Sequence, residues 1–289
     1  MASVALYALH AADLVPLRVP TGAADVHALL ADAPTGVYSA LRSYPGRRFL
    51  RLGAHLERCR LSIERAGWTT VFDLHTLVRS IDRAAQAYVR GEFRMRLDLL
   101  EQPALRGGVV TQALLALAPH HPVPPEIMSQ GARLAFAPAA LHRPEPLIKY
   151  TDWVRTRSVC DTLGVDAYEY LLLDERQRIL EATSANFYLV RDGSIVTAES
   201  GILEGITRQV VLELAADCGL SVDLRRPTFE DLARANEAFI TSSTREIVPV
   251  TAVAATRIGS GKPGPVFERL QARYQAYAAA YAAPAGALC

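Results

Sequence analysis

The sequence predicts an α+β protein of two domains, and three observations support this. At 289 residues, 50% of them hydrophobic and 21% charged, the composition is globular and the chain is long enough for two cores. Strand-like and helix-like hydrophobic periods follow one another along the whole length without an internal repeat. His120-His-Pro-Val-Pro-Pro125 packs its prolines into a stretch that resists both helix and central strand, as an extended linker would. The division expected is an N-terminal α+β domain at 1–120, a linker at 121–132 and a C-terminal domain at 133–289.

The elements follow in order. Gly36 to Tyr44 has the β-former mix of a strand and runs into the turn Pro45-Gly46. Leu56, Cys59, Ile63 and Ala66 fall at helical spacing in 54–66, with Gly67 as the stop. Asp73 can cap a second helix reaching Tyr88. Phe93 to Leu100 alternates as a strand, and Gln112 to Leu117 can pair with it. Beyond the linker, Tyr168 to Leu173 reads as a buried strand and Arg178 to Val190 as one further strand. Asp192-Gly193 turns a hairpin into Ile195-Val-Thr197. Thr207 to Cys218 is an amphipathic helix ended by Gly219. Strands resume at Ala238 to Thr241 and Val248 to Val253, and a last helix spans 266–282.

The net charge of +1 gives no broad pull toward nucleic acid or membrane. The opening MASVALYALHAADLVPL is apolar but has no basic start and is interrupted by Asp13, so it reads as a first strand rather than a signal peptide. No run reaches the roughly 20 apolar residues of a membrane span. Cys59, Cys160, Cys218 and Cys289 show no metal-ligand spacing and read as reduced, mostly buried thiols of a cytoplasmic protein, with no metal expected. Only two lysines occur, Lys149 and Lys262. Where Arg serves every other cationic position, a retained Lys offers what Arg cannot, an amine able to lose its proton.

Four segments downstream of the linker stand in a telling order: Leu147-Ile-Lys-Tyr150, Glu181-Ala-Thr-Ser-Ala-Asn-Phe187, Gly201-Ile-Leu-Glu-Gly-Ile-Thr-Arg208 and Thr241-Ser-Ser-Thr-Arg-Glu-Ile-Val-Pro-Val250. With Gly36 to Gly46, His55-Leu-Glu-Arg58 and the tail Ile258-Gly-Ser-Gly-Lys-Pro-Gly-Pro265, they resemble the class IV aminotransferases over nearly the whole chain. The second-domain motifs are most similar to branched-chain amino acid aminotransferases. The resemblance implies fold-type IV, with a smaller N-terminal α/β domain and a larger C-terminal domain around a β-barrel-like core. It implies pyridoxal 5'-phosphate as cofactor and a homodimer.

Residue by residue, the resemblance assigns Lys149 as the catalytic amine that holds the cofactor as a Schiff base; Lys262, in a Gly/Pro loop, is the poor candidate. Glu181 takes the position facing the ring nitrogen, whose protonated form is the electron sink, and Asn186 orients polar groups of the cofactor. The helix start at Ile206 and Thr207 offers amides, a dipole and a hydroxyl to phosphate; a plain N-cap at Thr207 is the alternative. Ser242 and Ser243 stand where branched-chain enzymes carry Gly-Thr. Arg58 matches the arginine that reaches the phosphate from the first domain.

Substrate positions are Tyr38 and Arg42, four apart on one face of a strand, and Arg94 and Arg96, which share a face of the next. A guanidinium suits a substrate carboxylate; a solvated strand edge is the alternative. The Tyr-x-Arg-Pro motif of branched-chain enzymes is not intact in Phe93-Arg-Met-Arg-Leu97. Arg106-Gly-Gly stands where D-amino-acid enzymes carry Arg-x-His, Ser39-Ala40 where aminodeoxychorismate lyases show Thr-Thr, and Val154 where branched-chain enzymes place a tyrosine. The expected activity is ping-pong transamination from a branched-chain or broad hydrophobic L-amino acid, or L-glutamate, to a 2-oxo acid. A D-amino-acid or (R)-amine transaminase, an aminodeoxychorismate lyase, and a non-catalytic cofactor-binding protein remain open.

Overall fold

The structure, a computed structural model, describes residues 4–10 and 13–288. In chain order the first elements are β1 (Ala5–His10), β2 (Asp13–Pro16), α1 (Val26–Leu29), β3 (Gly36–Arg42), α2 (Leu52–Arg65), α3 (Leu74–Ala87), β4 (Phe93–Arg106) and β5 (Val109–Pro119). There follow α4 (Pro125–Gln130), β6 (Ala132–Phe136), α5 (Asp152–Thr156), a 3-10 turn at Arg157–Thr162, β7 (Glu169–Leu173), β8 (Ile179–Ala182), β9 (Asn186–Arg191) and β10 (Ser194–Thr197). The chain closes with α6 (Ile206–Asp217), β11 (Ser221–Leu224), α7 (Phe229–Ala233), β12 (Glu237–Ser242), β13 (Glu246–Val253), β14 (Thr256–Arg257), α8 (Pro265–Tyr281) and a 3-10 turn at Ala285–Leu288.

Two compact units result. The first takes in the chain up to His121, together with Ile148–Arg155 and the segment from Ala278. Its sheet has the order β2-β1-β5-β4-β3 and is antiparallel throughout. Strand alternation sorts residues cleanly. Val37, Leu41, Phe93, Met95, Leu97, Leu115 and Leu117 face the apolar stripes of α2 and α3 and form one core with them. Tyr38, Arg42, Arg94, Arg96 and Asp98 occupy the other face. The Asp73 cap expected for α3 is present, its carboxylate accepting from the Thr76 amide at 2.9 Å.

The second unit comprises Pro122–Leu147 and Thr156–Tyr277. Its nine-stranded mixed sheet runs β11-β10-β9-β12-β13-β6-β7-β8, with β14 paired to β13, and curls into a half-barrel. The core is the apolar set of Leu134, Leu171, Phe187, Leu189, Ile240, Val248 and Val250 with their neighbours. Asp192-Gly193 does turn the β9–β10 hairpin, both residues at positive φ (49° and 79°) as its right-handed twist requires.

Three expectations change. Residues 148–155 and 278–288, which a division at 120–133 gives to the second domain, group with the first unit, where Ile148 and Ala285 fill its core. The linker carries a helix, α4, whose Pro125 sits in the first turn where a missing N–H is no loss. The single strand expected over 178–190 is two, β8 and β9, parted by a turn at 183–185 in which the Ala182 amide donates to the Ala185 carbonyl. Cys59 and Cys160 are buried and Cys218 half-buried, all free thiols; Cys289 lies outside the described residues. Among the described residues no helix is long and apolar enough to cross a membrane, and no cluster could hold a metal ion.

Candidate active site

In the first unit, Lys149 is placed by backbone register. Edge strand β3 is extended by residues 149–151: the Tyr38 amide donates to the Lys149 carbonyl at 2.9 Å, and the Thr151 amide to the Gly36 carbonyl at 2.8 Å. The Thr151 hydroxyl accepts from the Gly36 amide at 2.9 Å, so the register is locked twice over. Lys149 thereby shares a face with Tyr38, and its Nζ stands 4.6 Å from the Tyr38 ring centre. The Arg96 guanidinium lies 4.7 Å from the same centre.

The arginines separate by environment. Arg96 is 2% exposed and fully engaged: Nε and one terminal nitrogen grip the Asp98 carboxylate at 2.7 Å each, and the other meets His27 Nδ1 at 3.1 Å. Arg42 is half-buried and ion-paired with Glu92. Arg94 is half-buried opposite Arg42 in the β3–β4 register. Arg58, on the inner face of α2, is buried and donates to Ser39 Oγ at 3.0 Å. Ser39 Oγ in turn lies 2.7 Å from His55 Nδ1. Burial first, then the charges of Arg58 and Lys149, hold the His55 imidazole well below its usual pKa.

In the second unit, Glu181 and Asn186 stand on either side of the turn that splits β8 from β9. Glu181 is 2% exposed, and its carboxylate is ion-paired with Arg143, Nε at 2.9 Å, and accepts from Asn186 Nδ2 at 3.0 Å and the Leu203 amide at 3.2 Å. Asn186 also donates to the Leu203 carbonyl at 2.9 Å, which ties this pair to the segment leading into α6. That helix begins at Gly205, an N-cap without side-chain capping, so the Thr207 hydroxyl is inside the first turn and not the cap. Ile206 and Thr207 are both buried. A Cβ on Gly205 would overlap Asn186 Oδ1, which explains a glycine there.

Pairing of β9 with β12 sets Asn186 opposite Thr241, one residue before Ser242. Ser242 and Ser243 are half-buried at the β12–β13 turn, and Arg245 Nε donates to Ser242 Oγ at 3.1 Å. Arg245 also donates to Ser184 Oγ at 2.7 Å and pairs with Glu169 at 2.9 Å. Burial works to raise the Glu169 carboxyl, but Arg245 and the Ser184 and Thr183 hydroxyls outweigh it and hold it below its ordinary range.

The residues that sequence reasoning missed are supporting ones: Ser39, Arg143, Glu169, Ser184 and Arg245. Arg143 and Glu181 are 38 positions apart and meet only in the folded second unit, so no spacing rule could pair them.

A family model, amino-transferase class IV, matches residues 36–253. The chain belongs to the class IV aminotransferases. Among named relatives, the branched-chain-amino-acid aminotransferase of Pseudomonas aeruginosa is 38% identical over 115 residues, and the D-alanine aminotransferase of Bacillus licheniformis 39% over 111. Those stretches span 39% and 38% of this chain and only 38% and 39% of the relatives' lengths. The T.th. branched-chain amino acid aminotransferase, solved with pyridoxamine 5'-phosphate, superposes with a TM-score of 0.76 at 26% identity, covering 94% of this chain and 92% of that one.

Class IV aminotransferases depend on pyridoxal phosphate, and the residues of this member suit that group. A buried carboxylate held by an arginine and by two hydrogen-bond donors fits a protonated ring nitrogen. A helix start without a side-chain cap fits a phosphate. Lys149 supplies the one side-chain amine other than Lys262 that could hold an aldehyde.

Proposed function

We propose that this class IV aminotransferase moves an amino group from an L-amino acid, branched-chain or broadly hydrophobic, or from L-glutamate, to a 2-oxo acid by ping-pong kinetics. The observation that carries the reading is Glu181, a buried carboxylate anchored by Arg143, Asn186 and the Leu203 amide. A buried carboxylate is costly, and this one stands beside Asn186 at the position that the family resemblance gives to the ring-nitrogen partner. Pyridoxal phosphate, when bound, stabilises the charge left at the substrate carbon as its proton departs.

Lys149 Nζ receives that proton and returns it elsewhere, acting as base and then acid. The Tyr38 ring beside Nζ limits the directions the amine can take and offers the donor side chain an apolar wall. Glu181 would meet the ring nitrogen of bound pyridoxal phosphate and keep it protonated, and Asn186 fixes the Glu181 carboxylate through its amide. In the second unit the Ile206 and Thr207 amides, the Thr207 hydroxyl, Ser242 and Ser243 would hold its phosphate, and the family resemblance gives Arg58 of the first unit the role of a further phosphate ligand. Arg94 and Arg42 serve the substrate carboxylates, while Arg96, engaged by Asp98 and His27, acts by setting Tyr38. The enzyme works as a cytoplasmic homodimer. A D-amino-acid transaminase is the second reading, supported by the similarity to the D-alanine enzyme.

The test is a single-donor screen by absorbance. L-Leucine and L-glutamate are expected to bleach the yellow protein. Bleaching by D-alanine or D-glutamate alone would replace this reading with the second. Lys149→Ala is expected to be colourless and inactive; normal turnover by that variant would overturn the assignment of the amine.

A further inference from the structure

Ser39 and His55 form a buried chain with Arg58, and neither the serine nor the histidine has a part in the reaction described above. Ser39 is 1% exposed on β3, and His55 (2%) and Arg58 (8%) lie one turn apart on the α2 face against it. A guanidinium only donates, so Ser39 Oγ accepts from Arg58 at 3.0 Å. The single Ser39 proton is then directed to His55 Nδ1, 2.7 Å away. That polarity requires a neutral imidazole with its own proton on Nε2. Burial and the neighbouring Arg58 and Lys149 charges disfavour the protonated form, in agreement with the chain's direction. A Ser–His pair can also suggest a nucleophile and its base. Here the serine oxygen is nearly inaccessible and already accepts a guanidinium N–H, so that role does not fit.

We infer that Ser39 and His55 are positioning residues for Arg58, setting the plane of its guanidinium so that the fork meets a phosphate squarely. The inference rests on the reading of Arg58 as a phosphate ligand. A planar fork binds a phosphate well in only a narrow range of orientations. An arginine on a long flexible stem needs a fixed acceptor to hold that orientation, and Ser39 is that acceptor. His55 completes the device by taking the serine proton, which leaves the Ser39 lone pair directed at Arg58.

The experiment compares equilibrium binding of pyridoxal phosphate and of pyridoxal, which lacks the phosphate, to the cofactor-stripped full-length protein and its variants. Ser39→Ala and His55→Leu are expected to lower affinity for pyridoxal phosphate about tenfold, the scale of one hydrogen bond to a charged group, while leaving affinity for pyridoxal within about twofold. His55→Asn, which returns an acceptor to the place of Nδ1, is expected to recover most of the loss. Arg58→Met is expected to lose the same preference for the phosphorylated form. If Arg58→Met loses it and Ser39→Ala and His55→Leu do not, the positioning role falls and the Arg58 reading survives. If Arg58→Met keeps the preference, the Arg58 reading falls and takes the inference with it. Equal losses for both ligands in the Ser39 and His55 variants would mark a merely structural role and also overturn it. Should His55→Leu fail to fold, Ser39→Ala and His55→Asn still decide the matter.

Discussion

At Gly205 the start of α6 passes so close to Asn186 that no side chain fits between them. Gly205→Ala is therefore expected to push Asn186 aside and break its bonds to Glu181 and the Leu203 carbonyl. The expected cost is about 1–3 kcal/mol in urea denaturation, with weakened cofactor binding. Unchanged stability would mean that Asn186 is held by something else. Arg143 makes the opposite case, a side chain whose removal strands a neighbour. Arg143→Met is expected to cost about 3–5 kcal/mol, because the Glu181 carboxylate would stay buried without its cation. Lys149 and Glu181 stand out as candidates in the sequence because their motifs stand in order, and the structure puts the Lys149 amine beside Tyr38 and buries Glu181 against Arg143 and Asn186. Arg143 does not stand out, for an arginine in a Pro-rich segment gives no hint of which distant carboxylate it will meet. The fate of Arg96 was hidden as well: Arg94 and Arg96 look alike on the strand, and only the buried Asp98 distinguishes them.

Two turns of the second unit, 183–185 and 243–245, are joined by one side chain. Arg245 reaches Ser242 in its own turn, Ser184 in the other, and Glu169 on β7 beneath them. Arg245→Ala is expected to destabilise by about 3–5 kcal/mol through the abandoned Glu169 charge. The double variant Arg245→Met with Glu169→Leu is expected to recover part of that loss, measured as coupling in a double-mutant cycle. Strictly additive effects would show that the two turns are not joined this way. This turn also explains why one strand was expected over 178–190. Thr183-Ser184-Ala185 has neither Gly nor Pro, and what bends the chain there is the Glu169 carboxylate accepting from the Thr183 and Ser184 hydroxyls, a long-range cause. The helices fared better, since α2, α3, α6 and α8 have local periods and stops. The linker helix α4 was masked by the same prolines that start it.

Over the whole molecule, acid should weaken the fold before its carboxylates titrate. His120 is held down to about 4 by burial and by Arg42 and Arg94, and His55 lies well below its ordinary value. Both stay neutral in the folded state while the unfolded chain takes up protons near pH 6.5, so stability present above that pH is lost as pH falls below it. Asp98, raised by burial, works in the opposite sense at lower pH. His120→Gln is expected to reduce the slope of unfolding free energy against pH between about 6.5 and 4. An unchanged slope would remove His120 from the account. The discontinuity of the first unit was the global feature least available from sequence. Composition and proline content mark where a chain pauses, whereas Ile148 and Ala285 return to the first core for reasons only packing contains. A fragment ending at His121 is accordingly expected to show no cooperative melting.

The pairing of residues 149–151 with β3 also sets a timetable. On a ribosome the five strands of the first sheet emerge before the segment that covers the β3 edge, and the Phe49–Ala283 bridge forms later still. Until then the nascent chain presents an open strand edge with the place for its lysine vacant, the condition in which strand edges recruit unwanted partners. The Lys149 amine thus reaches its station only after the strands that will hold it have emerged, so a product cut short before residue 149 would carry those strands with neither the covered edge nor the amine.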